Sequence, residues 1–443
     1  MNAWTPERIA EAAGARLVQA PPRAEDPTKP GPTHAVIGSA DAGPGALFLG
    51  LPGANVDGGT YAGQALARGA WGVLVRTEHA VAAAGSIPGA VLAADDPLLA
   101  LQRLATAWRR ELGAQGAAVI GVTGSTGKTT TKELVAAMGR TVAPTHATAA
   151  NFNTEIGLPL TVLSAPAGTR LLVLEMAMRG AGQIAELALI AEPEIGIVVN
   201  VGPAHLEQLG SIEAIAAEKG SLLDHLPQGG TAIAPADEPL LAPHRHDGVR
   251  FLTFGPGGES TVEDLPESLG LGSLPAHVQL DAAAALAAVR AAGLEPVGPL
   301  DALPGAGRGA EVAGVAGSTI IDDCYNANPM SMRAALADLS RRDAPRRVAV
   351  LGDMLELGPD ETALHAELGE LAGDAGVGLL ATVGARAAHA ADRFDGPTLR
   401  FTTAADAAAA LPGEIGSGDT VLVKGSRGVG LEVVVAALQD GTF

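Results

Sequence analysis

The stretch from Ala117 to Met138 constrains the fold most. Ala117-Ala118-Val119-Ile120 is an apolar run suited to a buried strand, Gly121-Val122-Thr123-Gly124-Ser125-Thr126-Gly127-Lys128-Thr129-Thr130 is rich in glycine and hydroxyls, and 133–138 predicts a helix. Strand, glycine-rich turn, Gly-Lys-Thr and helix form a phosphate cradle. Glycine lets backbone N–H groups converge on an anion with no Cβ between them, and a helix N-terminus adds partial positive charge and free donors. In such a cradle Lys128 bridges the β- and γ-phosphates and the Thr129 hydroxyl sits on Mg²⁺. The spacing departs from G-x-x-x-x-G-K-[ST] at its first position, where Val122 stands, and Thr123-Gly124 supplies the turn instead. A glycine turn with a chance Gly-Lys-Thr is the plainer alternative, but it gives no reason for the flanking strand and helix.

A polyphosphate is a demanding ligand for this chain, whose formal net charge is −20. That balance argues against general affinity for nucleic acid or an anionic membrane, and it calls for local cations, with metal, wherever a polyanion binds. Of 29 Lys and Arg residues only five are lysines: Lys29, Lys128, Lys132, Lys219 and Lys424. Where an arginine-preferring chain keeps lysine, a compact or deprotonatable amine is a candidate reason. Chance suffices for Lys29 in its Pro-rich stretch, whereas Lys219 and Lys424 become candidate site residues. The single cysteine, Cys324, excludes an intramolecular disulfide and fits a reducing, cytoplasmic compartment. Apolar runs stop well short of the roughly 20 residues of a membrane span. Met1-Asn2-Ala3-Trp4-Thr5-Pro6-Glu7-Arg8 lacks a basic start with an apolar core, so neither a transmembrane helix nor a signal peptide is expected.

The 443 residues suffice for two to four domains at roughly 150 each. The pattern divides into three α/β units: a small N-terminal one over 1–94, a central P-loop-type unit with a mostly parallel sheet over 95–300, and a Rossmann-like C-terminal unit over 301–443. In the first, Thr5-Pro6 marks a helix start, 46–51 and 72–75 predict strands and 61–68 a helix. Nothing there has catalytic spacing, so a binding or scaffolding role is expected. In the second, the apolar runs 171–174 and 195–199 end at Glu175 and Asn200. Parallel sheets bind ligands beyond the strand carboxyl ends, so Glu175, Asn200 and the phosphate loop are expected to share a crevice. An Ala-rich helix over 280–292 closes this unit, and a linker dense in proline and glycine spans 294–309. The third has expected strands at 318–321, 348–351, 379–383 and 420–423. Gly425-Ser426-Arg427-Gly428-Val429-Gly430 follows the last, but without G-x-G-x-x-G spacing it predicts no dinucleotide site.

Among chemistry-bearing residues, Glu175 is a hard oxygen ligand suited to Mg²⁺, although a glutamate at a strand end is as often simply solvated. His205 is a lone histidine after a turn, a pattern more often structural than ligating. Lys219, in Ile215-Ala216-Ala217-Glu218-Lys219-Gly220, reads as helical, and its plain alternative is a solvated surface amine. No Cys/His cluster suggests zinc, and no Gly-x-Ser-x-Gly suggests a serine hydrolase.

Several further motifs stand beside the phosphate loop. They are Asn151-Phe152-Asn153-Thr154-Glu155-Ile156-Gly157-Leu158-Pro159-Leu160-Thr161, Leu174-Glu175-Met176, Asn200-Val201-Gly202-Pro203-Ala204-His205-Leu206, Ala217-Glu218-Lys219-Gly220, Asp322-Asp323-Cys324-Tyr325-Asn326-Ala327-Asn328-Pro329-Met330-Ser331-Met332, Leu351-Gly352-Asp353-Met354-Leu355-Glu356-Leu357-Gly358 and Val423-Lys424-Gly425-Ser426-Arg427-Gly428. With them the chain resembles, over essentially its full length, the Mur ligases of bacterial cell-wall synthesis. Tyr325-Asn326-Ala327-Asn328-Pro329 is similar to the members that add D-alanyl-D-alanine to UDP-N-acetylmuramoyl-tripeptide. The resemblance implies an ATP-dependent amide ligase of peptidoglycan precursor synthesis that works through an acyl phosphate, with two Mg²⁺ ions, as a monomer without nucleic-acid or membrane partners. It implies that Gly124, Ser125, Thr126, Gly127, Lys128, Thr129 and Thr130 hold the ATP phosphates, and that Arg308, Asn326 and Asn328 contact the nucleotide. It makes Thr129 and Glu175 ligands of one Mg²⁺, and His205 with Lys219, as its carbamate, ligands of a second. Carbamylation needs a neutral primary amine to attack CO₂, which arginine cannot offer. Ser39, Asn153, Thr154 and Lys424 fall on the substrate side, the first in an N-terminal UDP-substrate-binding domain. The C-terminal domain is expected to close over the cleft and exclude water.

The chain departs from its resemblance in three places. Relatives carry Asp-Ser-Arg where Gly38-Ser39-Ala40 stands, Asp-Gly-His where Asp57-Gly58-Gly59 stands, and His-Asn-x-x-Asn-Ala where His277-Val278-Gln279-Leu280-Asp281-Ala282 stands. UDP recognition then rests on Ser39 and residues still to be found. A related amide ligase, such as folylpolyglutamate synthase or another Mur ligase, is the nearest alternative. It shares the Asn151–Gly157 motif with the folate enzyme, but the folate enzyme lacks a domain ahead of the phosphate loop and has Asp-Gly-Ala-His-Asn-Pro in place of 325–329. A regulatory P-loop NTPase is the alternative from another class, and its Walker-B aspartate is not evident.

Overall fold

Short runs of Val, Ile, Leu and Ala, bounded by glycines and helix caps, become the inner strands of three sheets. The computed structural model describes residues 1–22, 28–85, 87–204, 206–272, 274–300 and 309–440. The first sheet holds β1 (Arg16–Gln19), β2 (His34–Val36), β3 (Ala46–Leu49), β4 (Gly72–Arg76) and β5 (Ala90–Ala94) in the order β1-β5-β4-β3-β2. Strands β2 to β5 run parallel, and β1 joins β5 antiparallel. The second holds β6 (Ala118–Thr123), β7 (Thr145–Ala147), β8 (Leu171–Glu175), β9 (Ile195–Val198), β10 (Thr231–Pro235) and β11 (Arg250–Phe254), all parallel, in the order β11-β10-β9-β6-β8-β7. The third holds β12 (Ala310–Ala313), β13 (Thr319–Asp323), β14 (Arg347–Gly352), β15 (Val377–Val383), β16 (Thr398–Phe401) and β17 (Thr420–Lys424) in the order β12-β13-β17-β14-β15-β16, with only β12 antiparallel among these described strands.

The α/β class with three mostly parallel sheets agrees with the expectation from pattern. The differences lie at edges. Strands β1 and β2 have four and three residues and are only half-buried, too short to display a period. β5 is buried throughout but reads Ala-Val-Leu-Ala-Ala, a composition equally suited to helix. The expected 61–68 helix begins as a 3₁₀ turn over Gly58–Tyr61 and continues as Ala62–Ala67. The Ala-rich helix starts earlier than expected and spans Ala276–Ala291, taking His277 to Asp281 into its first turns. His205 and Arg308 lie outside the described residues. Among the described residues, no helix is long and apolar enough to cross a membrane.

One helix joins the first two sheets. Asp96 caps it by accepting from Leu98 N and Leu99 N at 2.9 and 3.1 Å, and it runs over Pro97–Ala114. Its Trp108 is buried, meets Trp4, which precedes the Pro6–Ala13 helix, edge-to-face at 5.4 Å between ring centroids, and donates from Nε1 to Ala165 O at 3.0 Å. Trp108→Ala is expected to cost about 3–5 kcal/mol, read as a lower urea midpoint by circular dichroism. An unchanged midpoint would mean that this helix is dispensable as a joint.

Candidate active site

Strand order makes the site. β6 lies between β8 and β9, so the loop after Thr123 emerges between Glu175 and Asn200. Gly127 caps the Lys128–Arg140 helix in the left-handed region, at φ 73° and ψ −8°. A Cβ there would also fall 2.8 Å from Asp281 Oδ2 and 3.0 Å from Val199 Cγ1, so glycine is required by conformation and by space. Asn200 holds the loop. Its Oδ1 accepts from Ser125 N (3.1 Å) and Thr126 N (2.9 Å), and its Nδ2 donates to Thr126 Oγ1 (2.9 Å). Ser125 Oγ ties the loop to Gly202, accepting from its N and donating to its O, both at 2.9 Å. Lys128 Nζ donates to Gly124 O at 2.7 Å.

Glu175 ends β8 with its carboxylate buried and one hydrogen bond on each oxygen. Oε2 accepts from Thr129 Oγ1 and Oε1 from Asn153 Nδ2, each at 2.8 Å. A hydroxyl and a carboxylate beside a phosphate loop are hard oxygen donors that fit Mg²⁺, an ion held through one or two carboxylates plus substrate phosphates. No cluster of three or more His, Cys, Asp or Glu forms a complete protein cage among the described residues.

Lys219, on the Ile212–Asp224 helix, is 1% exposed. Among the described residues its Nζ has no hydrogen-bond or ion-pair partner. Glu218 next to it is committed elsewhere, accepting from Gly182 N at 2.7 Å and Ile184 N at 2.8 Å. Burial first, and the charge of Lys128 second, push the Lys219 amine well below the usual lysine range, against a weaker pull from Glu218.

The third sheet supplies the opposite wall. Lys424 sits in register with Asp323 across β17 and β13, and donates to Asp323 Oδ2 at 2.7 Å and Asn326 O at 3.1 Å. Asn328 caps the Pro329–Ser340 helix through Ser331 N at 3.0 Å and reaches Ser125 O with its Nδ2 at 3.4 Å. Between the walls lies a cleft of about 910 Å³, lined by the phosphate loop, Asn153, Glu175, Asn200, Asp281, Asn326, Asn328 and Lys424. Lys219, Thr154 and Ser39 are not in its lining. Thr154 accepts Leu158 N through its backbone carbonyl, and Ser39 lies half-buried in the loop after β2 of the first sheet.

Sequence reasoning quoted Asp281, Asp323 and His277 within longer motifs but named none of them as a cleft residue. Asp281 carried a signal, as the lone acid in an otherwise Ala-rich helix. Asp323 had none, because its role depends on β13 lying beside β17. His277, also in the cleft wall, is held below the usual histidine range by burial, partly offset by Asp338 and Asp323.

Residues 33–150 match the description "Mur ligase family, catalytic domain", 122–273 "Mur ligase middle domain" and 307–427 "Mur ligase, glutamate ligase domain". A UDP-N-acetylmuramoyl-tripeptide–D-alanyl-D-alanine ligase of Mycobacterium bovis is 38% identical, the match covering 89% of this chain and 90% of that protein. The crystal structure of MurF from Acinetobacter baumannii superposes with a TM-score of 0.83 at 27% identity over 98% of each chain. That of MurF ligase from Thermotoga maritima in complex with ADP has a TM-score of 0.79 at 29% identity, covering 91% of this chain and 96% of that one.

Burial holds the Asp281 carboxyl well above its usual range. The native state therefore binds more protons than the unfolded chain from about pH 3.9 up to the raised value, and stability falls as pH rises through that window. Asp281→Asn removes the ionisation and keeps the size. It is expected to raise the thermal midpoint at about pH 8 and to leave it nearly unchanged at about pH 4. Equal shifts at both would locate the effect in packing and not in charge.

Proposed function

The chain belongs to the Mur ligase family, and from that membership we propose that it joins D-alanyl-D-alanine to UDP-N-acetylmuramoyl-tripeptide at the expense of ATP, releasing ADP and phosphate. The observation that carries this reading is the shared cleft, with a phosphate loop and the Thr129–Glu175 pair on one wall and Asn326, Asn328 and Lys424 on the other. A regulatory NTPase has no need of the second wall. The 38% identity to a ligase of this name over most of the chain favours it over the folate enzymes.

A carboxylate is a poor electrophile until one of its oxygens leaves. On this reading the tripeptide carboxylate takes the γ-phosphoryl group of ATP, giving an acyl phosphate and ADP. The amine of D-alanyl-D-alanine then attacks the carbonyl carbon and loses a proton, and phosphate departs with the C–O electron pair. The first step brings two anions together. Lys128 and the N–H groups at the start of the Lys128–Arg140 helix offset their repulsion and favour the charge of the transferring group. Thr129 and Glu175 would hold Mg²⁺, which supplies further positive charge to that group. We assign His205 and Lys219, as its carbamate, to a second Mg²⁺, and Arg308, Asn326 and Asn328 to the nucleotide. Asn153, Thr154, Lys424 and Ser39 are assigned to the substrates, with 1–94 as the UDP-substrate-binding domain, 95–300 the ATP-binding domain and 301–443 the ligase domain. Each chain carries both walls of the cleft, which fits a monomer, and the single Cys324 fits the cytoplasm.

Phosphate release from ATP and Mg²⁺ tests the reaction. Release is expected to require both the UDP-tripeptide and D-alanyl-D-alanine, with the pentapeptide product seen by mass. Release indifferent to the dipeptide would sink the assignment. For Lys219, removal of CO₂ from the buffer is expected to lower wild-type activity, and bicarbonate to restore it. Lys219→Ala is expected to lose about 10²–10³ in kcat, with partial recovery on adding a short carboxylic acid. Full activity in Lys219→Arg would overturn the carbamate.

A further inference from the structure

Two motifs, at 351–358 and 423–428, have no role assigned beyond that of Lys424. They meet at the carboxyl ends of β14 and β17, which are parallel neighbours in the third sheet. Hydrogen bonds join them in both directions. Ser426 N donates to Asp353 O at 3.0 Å, and Leu355 N donates to Ser426 Oγ at 3.0 Å. The Ser426 hydroxyl gives its own hydrogen to Ala327 O at 3.3 Å. Ala327 stands between Asn326 and Asn328 in the cleft wall. One buried hydroxyl therefore ties the 353–355 loop to the turn that presents both amides.

His365 holds that loop from behind. It lies on the Glu361–Asp374 helix, fully buried and outside the cleft lining. Its Nε2 accepts from Met354 N at 2.8 Å, and its Nδ1 donates to Glu361 O at 2.6 Å. A backbone N–H can only donate and a carbonyl can only accept, so the ring is fixed as the neutral tautomer with its hydrogen on Nδ1. Burial pushes the imidazole below the usual histidine range, against the pull of the Glu361 carbonyl and the Asp353 and Glu361 carboxylates, with Arg386 adding a smaller push downward. Glu356, further along the loop, holds φ 63°, a left-handed conformation that a non-glycine residue keeps where its surroundings over-determine it. Past it, the Gly358–Asp360 turn meets the Leu206–Leu209 helix of the middle unit. A packing role alone calls for an apolar side chain. This ring instead completes a hydrogen-bonded line through Met354, Leu355 and Ser426 that ends at Ala327 in the cleft.

We propose that His365 is a positioning residue for the reaction, acting from outside the cleft through the 353–355 loop and Ser426 to hold Asn326 and Asn328 at the nucleotide. The role of those two amides rests on the ligase reading above. Protonation of Nε2 sets an N–H against the Met354 N–H. The hold is therefore present above the lowered value of the folded chain and lost as pH falls through it, at a point below the ordinary value of about 6.5.

Steady-state kinetics across pH, with calorimetric titration of ADP, test the assignment. His365→Gln carries an oxygen as many bonds from the backbone as Nε2, so it keeps an acceptor for Met354 N and removes the titration. It is expected to keep kcat/KM for ATP within about twofold of wild type at about pH 8, and to exceed wild type increasingly below about pH 6. His365→Asn keeps a donor for Glu361 O but leaves Met354 N without an acceptor, and is expected to lose about tenfold in kcat/KM for ATP across the range. Ser426→Ala is expected to lose a similar factor. Combined with His365→Asn it is expected to do no worse than the worse single variant, because both break one line. The KM for the UDP-tripeptide is expected to stay within about twofold of wild type throughout, which separates the effect from general loss of fold. Equal kcat/KM for ATP in the Gln and Asn variants, or additive losses in the double variant, would overturn the proposal and leave the ligase reading standing. Should His365→Asn fail to fold, the acid limb of His365→Gln against wild type decides alone. A wild type that makes no pentapeptide would overturn the ligase reading instead. The ADP titration then decides: the same ranking of affinities upholds the positioning role, and equal affinities overturn it.

Discussion

The amide of Asn200 takes two backbone N–H groups of the phosphate loop, from Ser125 and Thr126, and gives a hydrogen to the Thr126 hydroxyl. Backbone N–H groups in a turn this enclosed need acceptors. One side chain on the neighbouring strand end supplies what the turn lacks, and it can do so only because β9 lies beside β6. The opposite neighbour, β8, delivers Glu175 to the Thr129 hydroxyl by the same parallel logic. The chemistry of the middle sheet thus depends on a strand order that sets an amide on one side of the loop and a carboxylate on the other.

Burying an amine is costly unless it finds acceptors, and the chain buries Lys132, Lys219 and Lys424. Lys132 donates to Thr148 O at 2.7 Å and Glu133 Oε1 at 2.6 Å, and Lys424 to Asp323 and Asn326 O. Lys219 meets neither kind of partner among the described residues, and the charge that acts on it most is the cation of Lys128. Those surroundings favour the neutral amine, which is the form that attacks CO₂. On the proposed reading the carbamate answers both problems at once. It replaces a repelled cation by an anion that Lys128 attracts, and it turns a donor without a partner into a pair of oxygen ligands.

What is legible in the sequence follows how local each signal is. The apolar runs of β6, β8 and β9 are contiguous and buried on both faces, so they announce themselves, and Thr5 announces a helix by capping chemistry within three residues. β1 and β2 do not, since short half-exposed edge strands carry no period. Pairings are harder still. Asp281 against Gly127, Asp323 against Lys424 and His79 against Gly59 each join residues on different elements. No local pattern encodes which strands lie side by side. The departures at Gly59 and Asp281 were therefore visible in the sequence, while what those residues lie against became visible only in three dimensions.

The contact between the second and third sheets has a character suited to a ligase. Asn328 is fixed by its capping bond to Ser331 N, which aims its Nδ2 at Ser125 O, and the Met330 thioether lies over Gly202. A hydrogen bond of 3.4 Å and a flexible thioether on a glycine make this part of the contact light, and the Leu206–Leu209 helix meets the Gly358–Asp360 turn elsewhere along it. A reaction of this kind imposes opposite demands on the two walls: they must part for a large UDP-linked peptide, and they must meet while an acyl phosphate is exposed to water. On the proposed reading, a side chain aimed by a helix cap but weakly bonded suits both demands, because it sets a direction of approach at the cost of one long hydrogen bond. The same Asn328 then reports on the phosphate loop directly, since the carbonyl it reaches belongs to Ser125, whose N–H is held by Asn200.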